Sequence, residues 1–275
     1  MADNVFYHYT DFQALDGILR CAQLRVNNVL RMNDSAEMRH FMVRLSSAIV
    51  RRLEDGGDQA HARSAAAFFQ EELGKEYTAF AACFSFRRDD AAQWERYGNR
   101  GRGICIAFQS RYLERMATGA LSLQQVFYQD DMKDHALVSI FCRLIQNGAP
   151  LSAEAPEIKA VLRDAWICSV AFKHPSFWSE HEMRLVVFPF EKEDFHVQPC
   201  YHITVERIKK YYPLNLLEMC KKIGIGLEDL VCELIIGPES TQSPEILQDY
   251  LHDNGLHRLA GRVCLSNCPL RRPPV

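Results

Sequence analysis

Long apolar runs are missing from this chain of 275 residues. No stretch approaches the roughly 20 consecutive apolar residues that a membrane-spanning helix needs, so we expect no transmembrane segment. The first residues, Met-Ala-Asp-Asn, lack the basic and apolar regions of a signal peptide. The net charge is −3, so the chain has no overall basic field that would attract nucleic acid. These absences predict a cytoplasmic protein that does not act on a membrane.

The motifs of several familiar catalytic sites are also missing. The sequence contains no Gly-x-Ser-x-Gly, no His-Glu-x-x-His, no glycine fingerprint of a dinucleotide-binding fold and no Cys-x-x-Cys. The turn at 99–103 is basic and rich in glycine, but no Gly-Lys-Ser/Thr follows it. This excludes a Walker loop at that position.

The cysteines do not form a pattern typical of secreted proteins. The ten cysteines mostly stand singly in apolar runs, as Cys105 does between two isoleucines. This usage favours small buried side chains in a reducing compartment over a disulfide framework. A zinc site is a minor alternative, because four possible ligands fall within seventeen residues: His252, His257, Cys264 and Cys268.

Hydrophobic periodicity predicts short strands and longer amphipathic helices in irregular order. Strands are predicted near 5–9, 24–26, 77–86, 104–108, 124–128, 183–190, 197–205, 208–212, 231–236 and 262–265. Helices are predicted near 11–20, 37–53, 59–74, 90–98, 131–147, 154–171, 214–223 and 243–253. This order predicts an α+β fold with a mixed, mainly antiparallel and split sheet and packed helices. We expect a single domain over 1–275, with a helical insertion at about 131–171.

Two segments in the first forty residues carry polar side chains at predicted element ends. His8 ends the first strand, and Thr10 with Gln13 has the spacing of a capping box for the next helix. A helix N-terminus there suits an anion or phosphate, although a single His at such a place is more often structural. Asp34 and Glu37 repeat the capping spacing before the second helix.

The densest polar cluster lies between Lys173 and Arg184, directly before an apolar run that predicts a buried strand. It also contains Trp178, Glu180 and Glu182. On an extended chain, carboxylates two residues apart point to the same face and repel each other. Such a pair suits acid–base work or the stabilisation of a developing cation. The alternative is a structural Glu–Arg ion pair at the start of the strand.

Several motifs resemble, in the same order, a bacterial family known as domain of unknown function two-nine-seven-one. The resemblance spans nearly the whole chain. It rests on Tyr7-His8-Tyr9-Thr10, Ile18-Leu19, Asn33-Asp34-x-x-Glu37, Cys83-Phe84-Ser85, Trp94-x-x-Tyr97, Gly103-x-Cys105-x-Ala107-Phe108, Val126-x-Tyr128, Lys173, Trp178-x-Glu180-x-Glu182-x-Arg184 and Ile235-Ile236-Gly237.

A more distant resemblance concerns the chemistry. The His-x-Thr strand, its helix, the Ile-Leu pair and the late Glu-x-Glu are similar to ADP-ribosyltransferases of the His-Tyr-Glu type. This resemblance implies an ADP-ribosyltransferase-like fold and NAD as substrate. It implies that His8 holds the NAD ribose, that Glu182 orients the ribose hydroxyl and stabilises an oxocarbenium-like transition state, and that Glu180 helps to activate the acceptor. Tyr97 or Tyr128 would stack on nicotinamide.

The resemblances also imply a wider set of site residues. The expected NAD contacts are His8, Tyr9, Thr10, Asn33, Ser85, Trp94, Tyr97, Tyr128 and Arg184. Further site residues are Asp34, Glu37, Lys173 and Trp178. The Asn33-Asp34-x-x-Glu37 motif is not part of the usual transferase pattern, so a different substrate or reaction stays open.

The leading hypothesis is an NAD-dependent ADP-ribosyltransferase-like enzyme that acts on a protein or nucleic-acid acceptor. A role as a toxin or phage-defence effector is implied by the resemblance. The alternatives are an NAD hydrolase and a nuclease with Asp34, Glu37 and Glu182 as metal ligands. A non-enzymatic alternative is a ligand-sensing or partner-binding module of a defence system, which a large exposed apolar patch would favour. The sequence does not specify the acceptor, the partner or the oligomeric state.

Overall fold

Ten strands of the described residues form one mixed, mostly antiparallel sheet. The computed structural model describes residues 5–29, 37–75, 78–128, 132–188, 197–203 and 207–269, with only the backbone of residue 37. The strands are β1 Val5–Thr10, β2 Gln23–Asn28, β3 Phe80–Ser85, β4 Ile104–Gln109, β5 Leu121–Gln125, β6 Glu182–Val187, β7 Cys200–Ile203, β8 Ile208–Asn215, β9 Val231–Ile236 and β10 Val263–Leu265.

The helices accompany the sheet or form a bundle of their own. They are α1 Phe12–Leu19, α2 Glu37–Asp55, α3 Gln59–Glu72, α4 Ala91–Arg96, α5 Ser110–Met116, α6 Ala136–Gln146, α7 Pro156–Val170, α8 Leu216–Lys222, α9 Leu227–Leu230, α10 Pro244–Asp253 and α11 His257–Ala260. A 3₁₀ helix spans Pro175–Glu180. The chain divides into one unit of 1–27, 80–125 and 179–275, and a second of 28–79 and 126–178.

The strand order places β1 and β3 near the centre of the sheet. The main path runs β10-β9-β4-β1-β3-β2-β8-β7, while β6 pairs with β3 and β5 pairs with β6. β1 meets β3 at one position, Tyr7 opposite Ser85, whereas β6 follows β3 along its whole length. The sheet therefore branches at β3. The predicted α+β class and the mixed, mostly antiparallel sheet are confirmed.

One face of the sheet carries the main apolar core of the first unit. Phe84 on β3, Leu185 on β6 and Phe108 on β4 lie on this face and are at most 2% exposed. Phe84 and Phe108 meet edge to face, with ring centroids 5.5 Å apart. Burial of such large side chains contributes most of the stability of a domain of this kind.

Two local predictions are wrong. Thr10 does not cap α1, because β1 runs one residue further and pairs Thr10 with Ile104. Asp11 is the cap instead, and its carboxylate accepts a hydrogen bond of 2.7 Å from the backbone nitrogen of Ala14. The strand predicted at 124–128 lies at Leu121–Gln125, where its residues pair with β6.

Within the described residues, the second unit is a helical bundle built on α2, α3, α6 and α7. In α2, buried side chains recur at helical spacing, at Met38, Phe41, Leu45 and Ile49, and α2 packs against α3, α6 and α7. The helices predicted at 131–147 and 154–171 are present as α6 and α7. Among the described residues, no helix has both the length and the apolar character needed to cross a membrane.

Candidate functional site

Glu182 and Arg184 of the predicted polar cluster lie on the face of β3 and β6 that is opposite to the apolar core. Ser85 is directly opposite Glu182, and Cys83 is directly opposite Arg184. Directly opposed residues of antiparallel strands point to the same face, and neighbours along a strand alternate. The alternation places Phe84 and the other core residues on one face, and the Glu182 side chain on the other.

Glu182 and Arg184 form a buried ion pair with two hydrogen bonds. Arg184 donates from Nε to Oε1 at 2.9 Å and from Nη2 to Oε2 at 3.0 Å. The residues are 6% and 2% exposed. Their spacing of two puts both side chains on one face of the strand, which is why the sequence already suggested this pair. Both oxygens of Glu182 are held in place by a guanidinium.

Glu180 lies in the 3₁₀ helix before β6 and is held by groups from the α4 region. Its Oε1 accepts hydrogen bonds from Arg96 Nη1 and from the Tyr97 hydroxyl, both at 2.9 Å. Its main-chain oxygen accepts from Ser85 Oγ at 2.7 Å and from Gln93 Nε2 at 3.1 Å. Glu180 is only 3% exposed. The carboxylate is therefore fixed and shielded from water.

The two carboxylates do not share one face of an extended chain, and that prediction is wrong. Glu180 belongs to a 3₁₀ helix, and His181 between them has a φ of +44°. Left-handed backbone at a residue other than glycine is strained and occurs often at functional sites. The kink separates the partners, so each carboxylate has its own arginine. Burial, and then the charge of Arg87, lower the pKa of His181 below its ordinary value.

His8 lies on the opposite face of the sheet from Glu182. Tyr7 is opposite Ser85 and shares its face, so its neighbour His8 points the other way. The ring centroid of His8 lies 5.6 Å from that of Phe84, and Nδ1 donates to the Cys83 carbonyl at 2.8 Å. The expected grouping of His8 with Glu180 and Glu182 is not formed.

The neutral state of His8 makes it a source of acid sensitivity. Burial lowers the pKa of His8, although its bond to the Cys83 carbonyl and the charge of Asp11 oppose this. The unfolded chain then binds protons more readily than the folded one, so stability falls as the pH drops below about 6.5.

We expect His8→Asn to reduce this loss, because an amide still donates to the carbonyl but does not titrate. The measurement is the free energy of urea unfolding of both proteins at a pH of about 8 and about 5.5, where one such group contributes at most about 1.4 kcal/mol per pH unit. Other histidines contribute equally to both proteins. An identical pH dependence in the two proteins would contradict this role of His8.

Tyr9 and Trp94, predicted to contact NAD, anchor α4 to the sheet. Their rings meet edge to face at a centroid distance of 4.9 Å. The Tyr9 hydroxyl donates to the Arg87 carbonyl at 2.7 Å and accepts from the backbone nitrogen of Asp90 at 3.0 Å. Trp94 Nε1 donates to Asp89 Oδ1 at 2.7 Å. These contacts fix the segment that supplies Arg96 and Tyr97 to Glu180.

Other predicted site residues belong to the second unit or lie outside the described residues. Lys173 is buried, with Nζ 5.1 Å from the Phe177 ring centroid, while Trp178 is 60% exposed and Tyr128 is half-buried. Asn33 and Asp34 lie outside the described residues, and Glu37 begins α2.

Sequence patterns did not identify Arg96 and Gln93 as partners of Glu180. One signal was available in the sequence. A buried carboxylate needs a cation nearby, and Arg96 directly precedes Tyr97, which was predicted to belong to the site. The pairing itself was not visible, because 84 residues separate Arg96 from Glu180.

The zinc alternative is not supported by the structure. Within the described parts of the chain, no three His, Cys, Asp or Glu side chains are grouped so as to hold a metal ion. His252 and His257 face each other with their Nδ1 atoms 3.0 Å apart, whereas Cys264 contacts Glu233.

Glu180, Glu182 and Arg184 lie in a segment of the chain that matches a family model. A family model described as protein of unknown function (DUF2971) matches residues 93–185. The match supports the family predicted from the motifs over this part of the chain. Its two ends meet in space, because Gln93 donates a hydrogen bond to the main chain of Glu180. No curated protein and no solved structure matches the chain.

Proposed function

We propose that the protein is an ADP-ribosyltransferase-like enzyme that cleaves the bond between nicotinamide and ribose in NAD, with Glu180 as the catalytic carboxylate. The observation that carries the proposal is the position of Glu180. It is buried at the end of the 3₁₀ helix that precedes β6, within a Glu-x-Glu pair, and is held by Arg96 and Tyr97. The distant transferase resemblance of the same segment supports this reaction, although it implies Glu182 rather than Glu180 as the carboxylate that stabilises the transition state.

The physics of the reaction suits such a site. Nicotinamide is already a good leaving group, and positive charge develops on the ribose as it departs. A fixed carboxylate in a site that excludes water stabilises this charge much more strongly than one in bulk water. A site with few catalytic groups is sufficient, provided that they are rigidly placed.

Glu180 is assigned this role, rather than Glu182, because of their partners. Both oxygens of Glu182 are bound by Arg184, which is 2% exposed. The arginine at Glu180 is different, because the Arg96 side chain is 43% exposed. Arg96 can turn into solvent and uncover the carboxylate, whereas Arg184 has no such freedom. Glu182 and Arg184 then fix the start of β6 and thereby position Glu180.

The reaction balances with one acceptor. The bond between the nicotinamide nitrogen and ribose C1′ breaks, and nicotinamide leaves with the bonding electrons. An acceptor atom forms the new bond to C1′ and loses its proton. If water is the acceptor, the product is ADP-ribose, so transfer and hydrolysis share one site.

The proposal is tested with NAD labelled in its adenylate half. The purified chain is incubated with this NAD, with and without cell lysate, and free nicotinamide and label on macromolecules are measured. Release of nicotinamide, with transfer to a lysate component or with free ADP-ribose, is the expected result. If neither nicotinamide release nor labelling exceeds that of heat-denatured protein, the proposal is wrong.

A second candidate is a partner-binding module, favoured by one exposed apolar patch. Tyr201, Ile203 and Ile208 on β7 and β8 are 61%, 73% and 66% exposed. β7 ends the strand order within the described residues, and exposed apolar edge strands are sites of strand pairing with another chain. Lys209 and Lys210 beside the patch suit an acidic segment of a partner. The NAD experiment separates this candidate from the enzyme.

A further inference from the structure

An open pocket of about 390 Å³ is lined by residues of β1, β9 and β10. Its lining includes Tyr7, Glu233, Arg262 and Cys264, with apolar walls such as Val263. Its volume falls in the range of small-molecule pockets, roughly 300–1,000 Å³. None of its lining residues belongs to the group formed by Glu180, Arg96 and Tyr97. We call this pocket the Tyr7 cavity.

The carboxylate in this cavity is already occupied. Arg88 donates to Glu233 from Nη2 to Oε1 at 2.7 Å and from Nε to Oε2 at 3.0 Å. The Cys264 thiol also lies 3.5 Å from Oε1. The charge of Glu233 is therefore balanced by Arg88, and both of its oxygens accept hydrogen bonds from protein groups.

The groups that remain for a ligand are donors. Arg262 is anchored through Nη1, which donates to the carbonyls of Glu228 and Val231 at 2.7 Å each. Its Nε and Nη2 form no hydrogen bond with the described residues, so these donors of a lining side chain remain for a ligand. The Tyr7 hydroxyl forms no hydrogen bond with any residue in the described part of the chain. Burial, and then the charge of Glu233, raise the pKa of Tyr7 to about 12, so it stays protonated at neutral pH.

We propose that the Tyr7 cavity binds a small molecule through an anionic oxygen group, a carboxylate or a phosphate, received by the Tyr7 hydroxyl and Arg262. Tyr7 and Arg262 both donate hydrogen bonds, whereas the oxygens of Glu233 already accept from Arg88. The pocket therefore favours a ligand group that is rich in acceptors. The balanced Arg88–Glu233 pair leaves the positive charge of Arg262, which selects an anion. The apolar walls suit a compact apolar body attached to it.

The test uses two pairs of probes that differ only in the anionic group: benzoate with benzamide, and phenyl phosphate with phenol. Calorimetric titration of the full chain should give saturable binding of at least one anion with a Kd below about 1 mM, and its neutral partner should bind at least about tenfold more weakly. The tighter anion identifies the group as carboxylate or phosphate.

Tyr7→Phe provides the decisive variant, because the hydroxyl it removes has no protein partner among the described residues. We expect roughly tenfold weaker binding of the anion, as for loss of one hydrogen bond to a charged group, with an unchanged thermal midpoint. Tyr201→Phe, far outside the cavity lining, is the matched control and should bind like the original protein. Equal binding of a neutral probe and its anion, no saturable binding of either anion, or unchanged binding by Tyr7→Phe would each overturn the proposal.

Discussion

Replacing Glu180 by Gln is expected to reduce NAD cleavage at least about a hundredfold while the fold stays intact. The glutamine keeps the size of the side chain and an oxygen that can accept from Arg96 and Tyr97, but it removes the negative charge. Loss of a charge that stabilises the transition state costs on the order of 3 kcal/mol or more, which gives the expected factor. The measurement is nicotinamide release per folded molecule.

The stability of this variant should change little. Arg96 is 43% exposed, so its guanidinium can be hydrated once its carboxylate partner is neutral. We expect a loss of about 1 kcal/mol in the free energy of unfolding. Glu228→Gln is the matched control, because Glu228 also pairs with an exposed arginine, Arg258, but lies in α9. Turnover by Glu180→Gln equal to that of the control would remove Glu180 from the mechanism.

Replacing Glu182 by Gln should produce the opposite pattern, a large loss of stability. Arg184 is 2% exposed, and the variant removes the buried negative charge that accepts two of its hydrogen bonds. Breaking a buried ion pair from one side costs about 3–5 kcal/mol. Urea unfolding at neutral pH measures this loss. Turnover per folded molecule is measured under conditions where the variant is still folded. It should stay within about tenfold of that of the original protein if Glu182 only positions Glu180.

A double replacement separates charge burial from the loss of packing. Glu182→Leu combined with Arg184→Met removes both charges and keeps apolar volume on the strand. The double variant should recover most of the stability lost by Glu182→Gln, because the buried guanidinium is removed together with its carboxylate. A normal stability of Glu182→Gln together with abolished turnover would instead make Glu182 the catalytic group and refute the present assignment.

Sequence patterns could not predict to which face of the sheet the His8 side chain points. β1 is paired on both sides, and its residues alternate between two partly or fully buried faces, with Phe6 on one face and Tyr9 on the other. Alternation of apolar and polar residues assigns faces only when one face is solvated. The His-x-Thr motif therefore located the strand but did not give the direction of its histidine.

Patterns within single segments were enough to predict most helices and strands and the pairing of close neighbours. Periodicity located β6 as a buried strand and α6 and α7 as helices, and a spacing of two placed Glu182 beside Arg184. The remaining features depend on how distant segments pair. Strand order and register brought Arg96 and Tyr97 to Glu180, turned His8 to the other face, and gathered the Tyr7 cavity from β1, β9 and β10. The reason is that periodicity reports on neighbours within a few residues, whereas register depends on pairing between distant segments, which the pattern of one segment does not encode.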